Sequence, residues 1–463
     1  MKMTLQEIAE ATGGEILQGN PSFELSSFST DSRTLKNGAL FVCLRGDRFD
    51  AHEFLPEVVD KGAAAVILEK ARFDPGRWKG TKAAFIGVTD TLRALGDAAR
   101  AWRRKFSIPL VAVAGSNGKT TTKDMTVAVL SAQFKTLGTE GNLNNLIGVP
   151  LMLFKLTEEH EAAVIEMGMN NFGENARLTE IAEPTVGLIT NVGMEHLEKL
   201  KNLEGVARAE GELFEKMPPG SLALVNQDDP YVSKMATRAF RITYGMEKPA
   251  DVFCGSHTET KKGIELEIQF RGKSYSFQCP TFGEPNRRNA LAAVAVGFGL
   301  GLEAKKIQKG LKEFKGRPLR MERLDLKEGI VVLNDCYNAN PSSMHAALTA
   351  LKGLKGENPG LAVLGEMLEL GDFAREGHRL VGEAAANNRI GYLIAVGPFA
   401  AEVAEAAKQA GLNSDHVRAF ASQEEIGEIL GDWVRKAGTV LVKGSRGAKM
   451  EKVTEMIRSL FER

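Results

Sequence analysis

Short apolar runs that end in glycine or a polar residue recur along most of the chain. From Ile108 onward, "IPLVAVAG", "AAVIEMG", "VGLITNVG" and "SLALVN" follow one another with polar, helix-like segments between them. Strands buried on both faces of a parallel sheet have this unbroken apolar character, whereas strands wetted on one face alternate. After "KGRP" (315–318) a second series begins with "IVVLND", "LAVLGE", "YLIAVG" and "TVLVKG". It predicts another doubly wound sheet, with ligands at the carboxyl ends of its strands. Residues 252–279 alternate instead, and Lys262-Gly263 and Arg271-Gly272 predict hairpins. The helix "RRNALAAVAVGFGLG" follows them.

Residues 1 to about 85 mix short strands and helices, with "GALFVCLRG" and "AAAVILEK" the clearest strands. "TLRALGDAARAWRRKF" predicts an amphipathic connecting helix, with Leu92, Leu95, Ala98 and Trp102 near helical spacing. A chain of 463 residues exceeds one ordinary core. The expected class is α/β in three domains, with two clefts between them. A small mixed N-terminal domain covers 1–85 and a connecting helix 86–107. A central, mainly parallel domain covers 108–316, and a Rossmann-like C-terminal domain covers 317–463.

Composition narrows the function classes. Lys+Arg and Asp+Glu balance at 59 each, so no basic field draws nucleic acid or an anionic membrane. No run of about 18 apolar residues predicts membrane insertion. The start, "MKMTLQEIAEATGGEI", has acids where a signal peptide is apolar, so a cytoplasmic location is expected. Cys43, Cys254, Cys279 and Cys336 lie far apart, which predicts neutral or buried thiols without a disulfide framework. Cys254 and His257 could form half a metal site, but no second pair follows.

The strongest chemical signal is "LVAVAGSNGKTTTKDM" (110–125): a strand, a small turn and a helix opening at Gly118-Lys119-Thr120. In a phosphate-binding P-loop, backbone N–H groups and a helix N-terminus converge on phosphate oxygens; lysine neutralises charge and Ser/Thr meets Mg²⁺. Gly115, Ser116, Asn117, Gly118, Lys119, Thr120 and Thr121 supply these parts, although the usual spacing puts glycine where Val113 stands. That setting makes the central domain P-loop ATPase-like. Glu166 closes the next strand and is the natural carboxylate for Mg²⁺, and His196 follows a further strand end. The amide-rich "TEGNLNNLIGVP" contains Asn142, Asn144 and Asn145, which suit either a polar substrate or an Asx-rich turn. Asp335 and Asn338 follow a strand of the second sheet, and Lys443 and Arg446 mark a strand-to-helix turn suited to an anion. Two readings stay open at this level: an ATP-using enzyme that activates a substrate between domains, or a nucleotide-driven switch. The polar loops and substrate-sized clefts favour the enzyme.

Seven ordered blocks go further. "GSNGKTTTKDM", "GNLNNLIGVPL", "EMGMNNFGE", "TNVGMEHLE", "DCYNANPSSM", "LGEMLELG" and "VKGSRG" resemble the Mur ligase family of peptidoglycan synthesis, as does "TDSRTLKNGALFVCLRGDRFDAHEF" near the front. The resemblance is collinear over nearly the whole chain, and the shortened P-loop is that family's own form. It implies ATP-dependent amide formation. The γ-phosphate would pass to the terminal carboxylate of a UDP-N-acetylmuramoyl-tripeptide, and D-alanyl-D-alanine would attack the acyl phosphate. By the same resemblance, Lys119 would hold the β- and γ-phosphates. Thr120 and Glu166 would bind one Mg²⁺, and His196 would help bind a second. Asn286, Asn289 and Arg317 would meet the adenosine. Ser32, Arg33 and the loop around Asp50 and His52 would hold the uridine diphosphate. Asn142, Asn144 and Asn145 would line the reaction cleft, faced by Asp335, Asn338, Asn340, Lys443 and Arg446. A monomer is expected. Another muramyl-peptide ligase or a folylpolyglutamate-synthase-like enzyme is the alternative within the family.

Three positions depart from the family pattern. Glu210 stands where a carbamylated lysine, in effect a long carboxylate, is usual; it is expected to fill that charge role at the second Mg²⁺, directly or through water. Pro285 replaces the histidine common before Asn286, and Glu366 replaces an aspartate.

Overall fold

The structure, a computed structural model, describes residues 2–46, 49–260 and 262–462. Three sheets carry the architecture, in a chain-sequential order. The first has five strands in the order 15–18, 84–88, 65–69, 40–42 and 28–29, parallel except for the pair 15–18/84–88. The helix Thr91–Arg103 follows, capped by Asp90, whose side chain accepts from the Arg93 N–H. Leu95, Ala98 and Trp102 are buried as the spacing predicts. Leu92 is not: it is 38% exposed, because the buried stripe runs through Thr91, Ala94, Leu95, Ala98 and Ala99 and leaves Leu92 beside it.

The second sheet has nine strands. Six neighbour pairings are parallel, and the hairpins of 252–279 extend one edge with turns at the two predicted Lys-Gly and Arg-Gly sites. Strand β1 (Leu110–Ala114) lies third from one edge and leads through residues 115–118 into helix α1 (Lys119–Ser131). On one side of β1 is β2 (Ala162–Glu166), on the other β3 (Val186–Ile189). The chain thus reverses its direction of winding at β1, and such a switch point opens a crevice at the carboxyl ends of the strands. All five residues of β1 and of β2 are buried, as the apolar runs require. Helix α2 (Leu203–Lys216) packs on one face of this sheet, and α3 (Glu284–Gly299) on the other against α1. Helix α3 begins three residues before the predicted "RRNA" run, with Pro285 in its first turn, where a missing N–H costs nothing.

The third sheet has six strands: Glu322–Asp325 runs antiparallel to β4 (Val331–Asp335), from which helix α4 (Pro341–Lys355) follows. Strand β5 (Leu361–Leu364) is separated from β4 by β6 (Thr439–Lys443), all parallel. The strands 136–138, 322–325 and 417–420 escaped the sequence reading, being short edge strands, and so did the interior strand 240–245, whose first residues Phe240 and Arg241 are exposed. The four cysteines are buried and free, and burial pushes the Cys254 thiol up to about 11.

Candidate functional site

The loop between β1 and α1 is held open by glycine. Gly118 has φ +81°, and a Cβ there would lie 2.4 Å from the Asn289 Oδ1 of α3. Gly115 has φ +111°, and a Cβ would lie 2.3 Å from Thr190 Oγ1. Side chains are therefore excluded where the loop passes its neighbours, and the start of α1 (Gly118 to Thr121) offers its backbone N–H groups to phosphate. The loop after β3 braces it. The Ser116 N–H donates to the Asn191 carbonyl, the Asn117 N–H to Asn191 Oδ1 at 3.0 Å, and Thr190 Oγ1 to the Asn117 carbonyl at 2.7 Å.

A cavity of about 400 Å³ opens beside this loop. Its walls include Ser116 to Thr121, Glu166 and His196, together with Asn142, Asn144, Asn145, Asn286 and Asn289. From the third sheet come Asp335, Asn338, Asn340 and Lys443. Most of the residues singled out in the sequence thus converge. Thr120 Oγ1 donates to Glu166 Oε1 at 3.2 Å and Asn144 Nδ2 to the same oxygen at 2.9 Å, while Glu166 Oε2 is buried with no partner. Asn145 Oδ1 accepts from the N–H groups of Ile147 and Gly148, so the Asx-turn reading holds for that residue even though it lines the cavity.

The third sheet's contribution is internally hydrogen-bonded. Asp335 and Lys443 are register partners at the ends of β4 and β6; their side chains pair at 2.5 Å, with Lys443 Nζ also donating to the Asn338 carbonyl at 2.9 Å. Asn340 caps α4 by accepting from the Ser343 N–H, and its Nδ2 donates across to Asn117 Oδ1 at 3.0 Å. This contact ties the phosphate loop to the third sheet's domain.

Arg320, Tyr337, Glu195 and Glu369 are among the cavity residues that were not anticipated. Arg320 Nη2 donates to Thr120 Oγ1 at 3.1 Å, and its guanidinium lies 3.9 Å above the Tyr337 ring. Glu195 sits 3.5 Å from Lys119 Nζ, and Glu369 meets His196 Nδ1 at 2.9 Å. Arg320 lies three residues beyond Arg317, in the same basic run, and Glu195 directly precedes His196, so adjacency was the only available signal. Burial opposes the charge on Lys119, but Glu195, Glu210 and Glu166 outweigh it and its pKa rises. Burial likewise opposes the His196 cation, and Glu369 and Glu195 reverse the balance, so that its pKa also rises.

Several expected residues lie elsewhere. Glu210, 1% exposed, is not among the cavity walls. Its Oε2 accepts from the Gly115 N–H and from Asn175 Nδ2, both at 2.9 Å, so it sits beneath the loop. Burial pushes its carboxyl up to about 7, although Lys119 pulls the other way. Arg317 lines an adjoining cavity of about 500 Å³ with Phe282 and Asn286, and donates to Asp124 at 3.2 Å. Arg446 points away, pairing with Glu451 on the surface. Glu366 lines a separate small cavity, and the loop's reach into the main one is made by Glu369. In the first domain, Arg33 is exposed and forks onto Asp31, and the Ser32 carbonyl accepts from Lys61. His52 is buried with both ring nitrogens engaged, Nδ1 with Asp50 at 2.6 Å and Nε2 accepting from the Glu69 N–H at 3.0 Å. It braces the loop that presents Asp50 and has no ring nitrogen left for a ligand. Among the described residues, Cys254 and His257 join no metal-binding group.

A phosphate loop at a switch point, a strand-end carboxylate beside its threonine, and a second α/β domain closing over both define a P-loop enzyme that works between domains. Comparison with known families agrees: residues 113–297 match the Mur ligase middle domain, 319–446 the Mur ligase glutamate ligase domain, and 24–103 the Mur ligase family catalytic domain. The UDP-N-acetylmuramoyl-tripeptide–D-alanyl-D-alanine ligase of Bacillus subtilis (strain 168) is 33% identical over 465 residues, covering 100% of this chain and 99% of its own. A crystal structure of MurF from Acinetobacter baumannii superposes with a TM-score of 0.90 at 32% identity, over 99% of both chains. The MurF ligase of Thermotoga maritima in complex with ADP does so at 0.83 and 26%, over 94% of this chain and 97% of its own. The chain belongs to the Mur ligase family.

Proposed function

We propose that this chain joins D-alanyl-D-alanine to the terminal carboxylate of UDP-N-acetylmuramoyl-tripeptide, using ATP, in peptidoglycan precursor synthesis. The observation that carries the reading is the main cavity, where the phosphate loop and Glu166 of one domain face Asp335, Asn338, Asn340 and Lys443 of another. The similarity to a UDP-N-acetylmuramoyl-tripeptide–D-alanyl-D-alanine ligase over 100% of this chain supports the choice of acceptor.

A carboxylate is a poor acyl donor in water, and phosphorylation supplies the leaving group. A carboxylate oxygen attacks the γ-phosphorus and ADP leaves; the dipeptide amine then attacks the acyl carbon, loses a proton, and inorganic phosphate departs. The protein's share is positioning and charge stabilisation. The N–H groups at the start of α1 and Lys119 hold the β- and γ-phosphates, and Arg320, stacked on Tyr337, adds a second cation at the same edge. Asn142 and Asn144 face the reacting carboxylate, while the Asp335–Lys443 pair and Asn338 shape the acceptor side. Asn286 lines both cavities, which supports a reading with the adenosine in the adjoining one beside Arg317. Ser32, Arg33 and Asp50 take the uridine diphosphate. The orphaned Glu166 Oε2 next to Thr120 Oγ1 fits a divalent cation, and Thr120, Glu166 and His196 would hold Mg²⁺, in two ions. When bound, Mg²⁺ neutralises phosphate charge.

We place the reaction in the cytoplasm on a monomer, without membrane insertion or nucleic acid. No described helix is long and apolar enough to cross a membrane. Mass spectrometry of reactions with ATP, Mg²⁺, the UDP-muramoyl-tripeptides and D-alanyl-D-alanine tests the reading. A product heavier by the dipeptide is expected, and Lys119→Ala should abolish it while leaving the circular dichroism intact. ATP turnover without an amide product would favour a nucleotide switch and sink the assignment.

A further inference from the structure

Two carboxylate oxygens in the main cavity are buried without any hydrogen-bond partner: Glu166 Oε2 and Glu195 Oε1. Their residues are 3% and 7% exposed. A dry, unpaired carboxylate oxygen is costly, so such atoms mark positions completed by a cation or donor in the working protein. They approach the phosphate loop from opposite sides. Glu166 ends β2 beside Thr120, whereas Glu195 follows β3, with Oε2 3.5 Å from Lys119 Nζ and 3.9 Å from His196 Nε2. Glu210 lacks this position: its Oε2 already takes the Gly115 N–H and Asn175, and it is not a cavity wall.

We propose that Glu195, together with His196, forms the protein's share of the second Mg²⁺ site, and that Glu210 is a buried prop of the phosphate loop. The proposal rests on the ATP–Mg²⁺ reading above. Without nucleotide, Glu195 is balanced by Lys119. Phosphates that draw the Lys119 ammonium to themselves leave Glu195 without its cation and bring further negative charge to the same place. A divalent ion between Glu195 and the phosphate chain answers both charges. Among the described residues no three acidic, histidine or cysteine side chains converge as a preformed cage. Mg²⁺ does not require one, since it keeps several waters and takes one or two carboxylates plus phosphate oxygens.

Mn²⁺ binding to the full-length protein, counted by electron paramagnetic resonance with the non-hydrolysable analogue AMPPCP, tests this without reading activity. The wild-type chain is expected to bind two Mn²⁺ per nucleotide. Glu195→Gln should keep one and weaken the other at least about tenfold, while Glu210→Gln keeps both. If Glu195→Gln binds two ions as tightly as wild type, or if Glu210→Gln is the variant that loses one, the proposal is overturned. A wild-type chain binding a single ion also overturns it, whereas one that binds no nucleotide rejects the ATP reading itself. Should Glu195→Gln fail to fold, Glu195→Asp decides. It keeps the charge but withdraws it by one methylene, and unchanged affinity for the second ion would again refute the assignment.

Discussion

Gly118→Ala tests whether the phosphate loop is shaped by close packing against α3 or only by glycine's freedom to adopt positive φ. The left-handed conformation costs an L-residue about 1–2 kcal/mol. At φ +81° the new Cβ would also lie 2.4 Å from Asn289 Oδ1, so that side chain must swing away. Asn289 Oδ1 is the acceptor for Thr122 Oγ1 at 3.1 Å, and both residues are buried. Stranding a buried hydroxyl adds about 1–3 kcal/mol, for a total of about 2–5 kcal/mol. Gly220 supplies the control: it has the same φ of +81° with nothing within 4 Å of its Cβ position, so Gly220→Ala carries only the backbone cost. A three-domain chain has no single unfolding free energy, so hydrogen-exchange protection of residues 119–131 is the suitable measure. Gly118→Ala should lower that protection by about 2–5 kcal/mol and weaken AMPPCP binding. Gly220→Ala should leave nucleotide affinity unchanged. Equal protection in the two variants, with equal nucleotide affinity, would refute the packing argument.

Arg320→Ala is expected to weaken ATP binding by one to two orders of magnitude, because it removes a cation held by Tyr337 against Thr120; isothermal titration showing unchanged affinity would remove Arg320 from the site. Activity should be the same in carbon-dioxide-free and bicarbonate-supplemented buffer, since Glu210 needs no carbamylation; strong stimulation would implicate a lysine elsewhere. His378 is buried, donates Nδ1–H to the Ala374 carbonyl at 2.7 Å and accepts from the Met367 N–H at 3.0 Å, and burial lowers its pKa. The folded state therefore prefers the neutral ring: its stabilisation is complete above about 6.5 and declines as pH falls from there through the lower folded value. Acid should loosen the 365–370 loop that carries Glu369, and His378→Gln should flatten this pH dependence in hydrogen exchange; an unaltered profile would exclude His378 as its source.

Buried parallel strands were legible because both faces are apolar, and Val111, Val164, Leu188 and Val363 are all fully buried. Edge strands such as 417–420 were not, since Arg418 and Ala419 face water and leave no period to read. Within the site, Lys119, Thr120 and Glu166 were legible from strand–loop–helix punctuation. Arg320 and Glu195 were not, because a charged residue beside an already chosen one looks the same whether it faces a cavity or water. His52 shows the converse: a motif residue can have both ring nitrogens taken by its own domain, one by Asp50 and one by the Glu69 N–H.

The amino-acid sequence by itself determined the three α/β units, the phosphate loop and the family, since these rest on local periodicity, turn chemistry and ordered blocks. Only the tertiary structure decided which carboxylates share the cavity. Glu195 and Glu210 lie fifteen residues apart and are chemically identical. The packing of α2 turns Glu210 onto the Gly115 N–H, while the loop after β3 leaves a Glu195 oxygen unpartnered beside Lys119. Partnering of this kind depends on distances across the fold, which no spacing along the chain encodes.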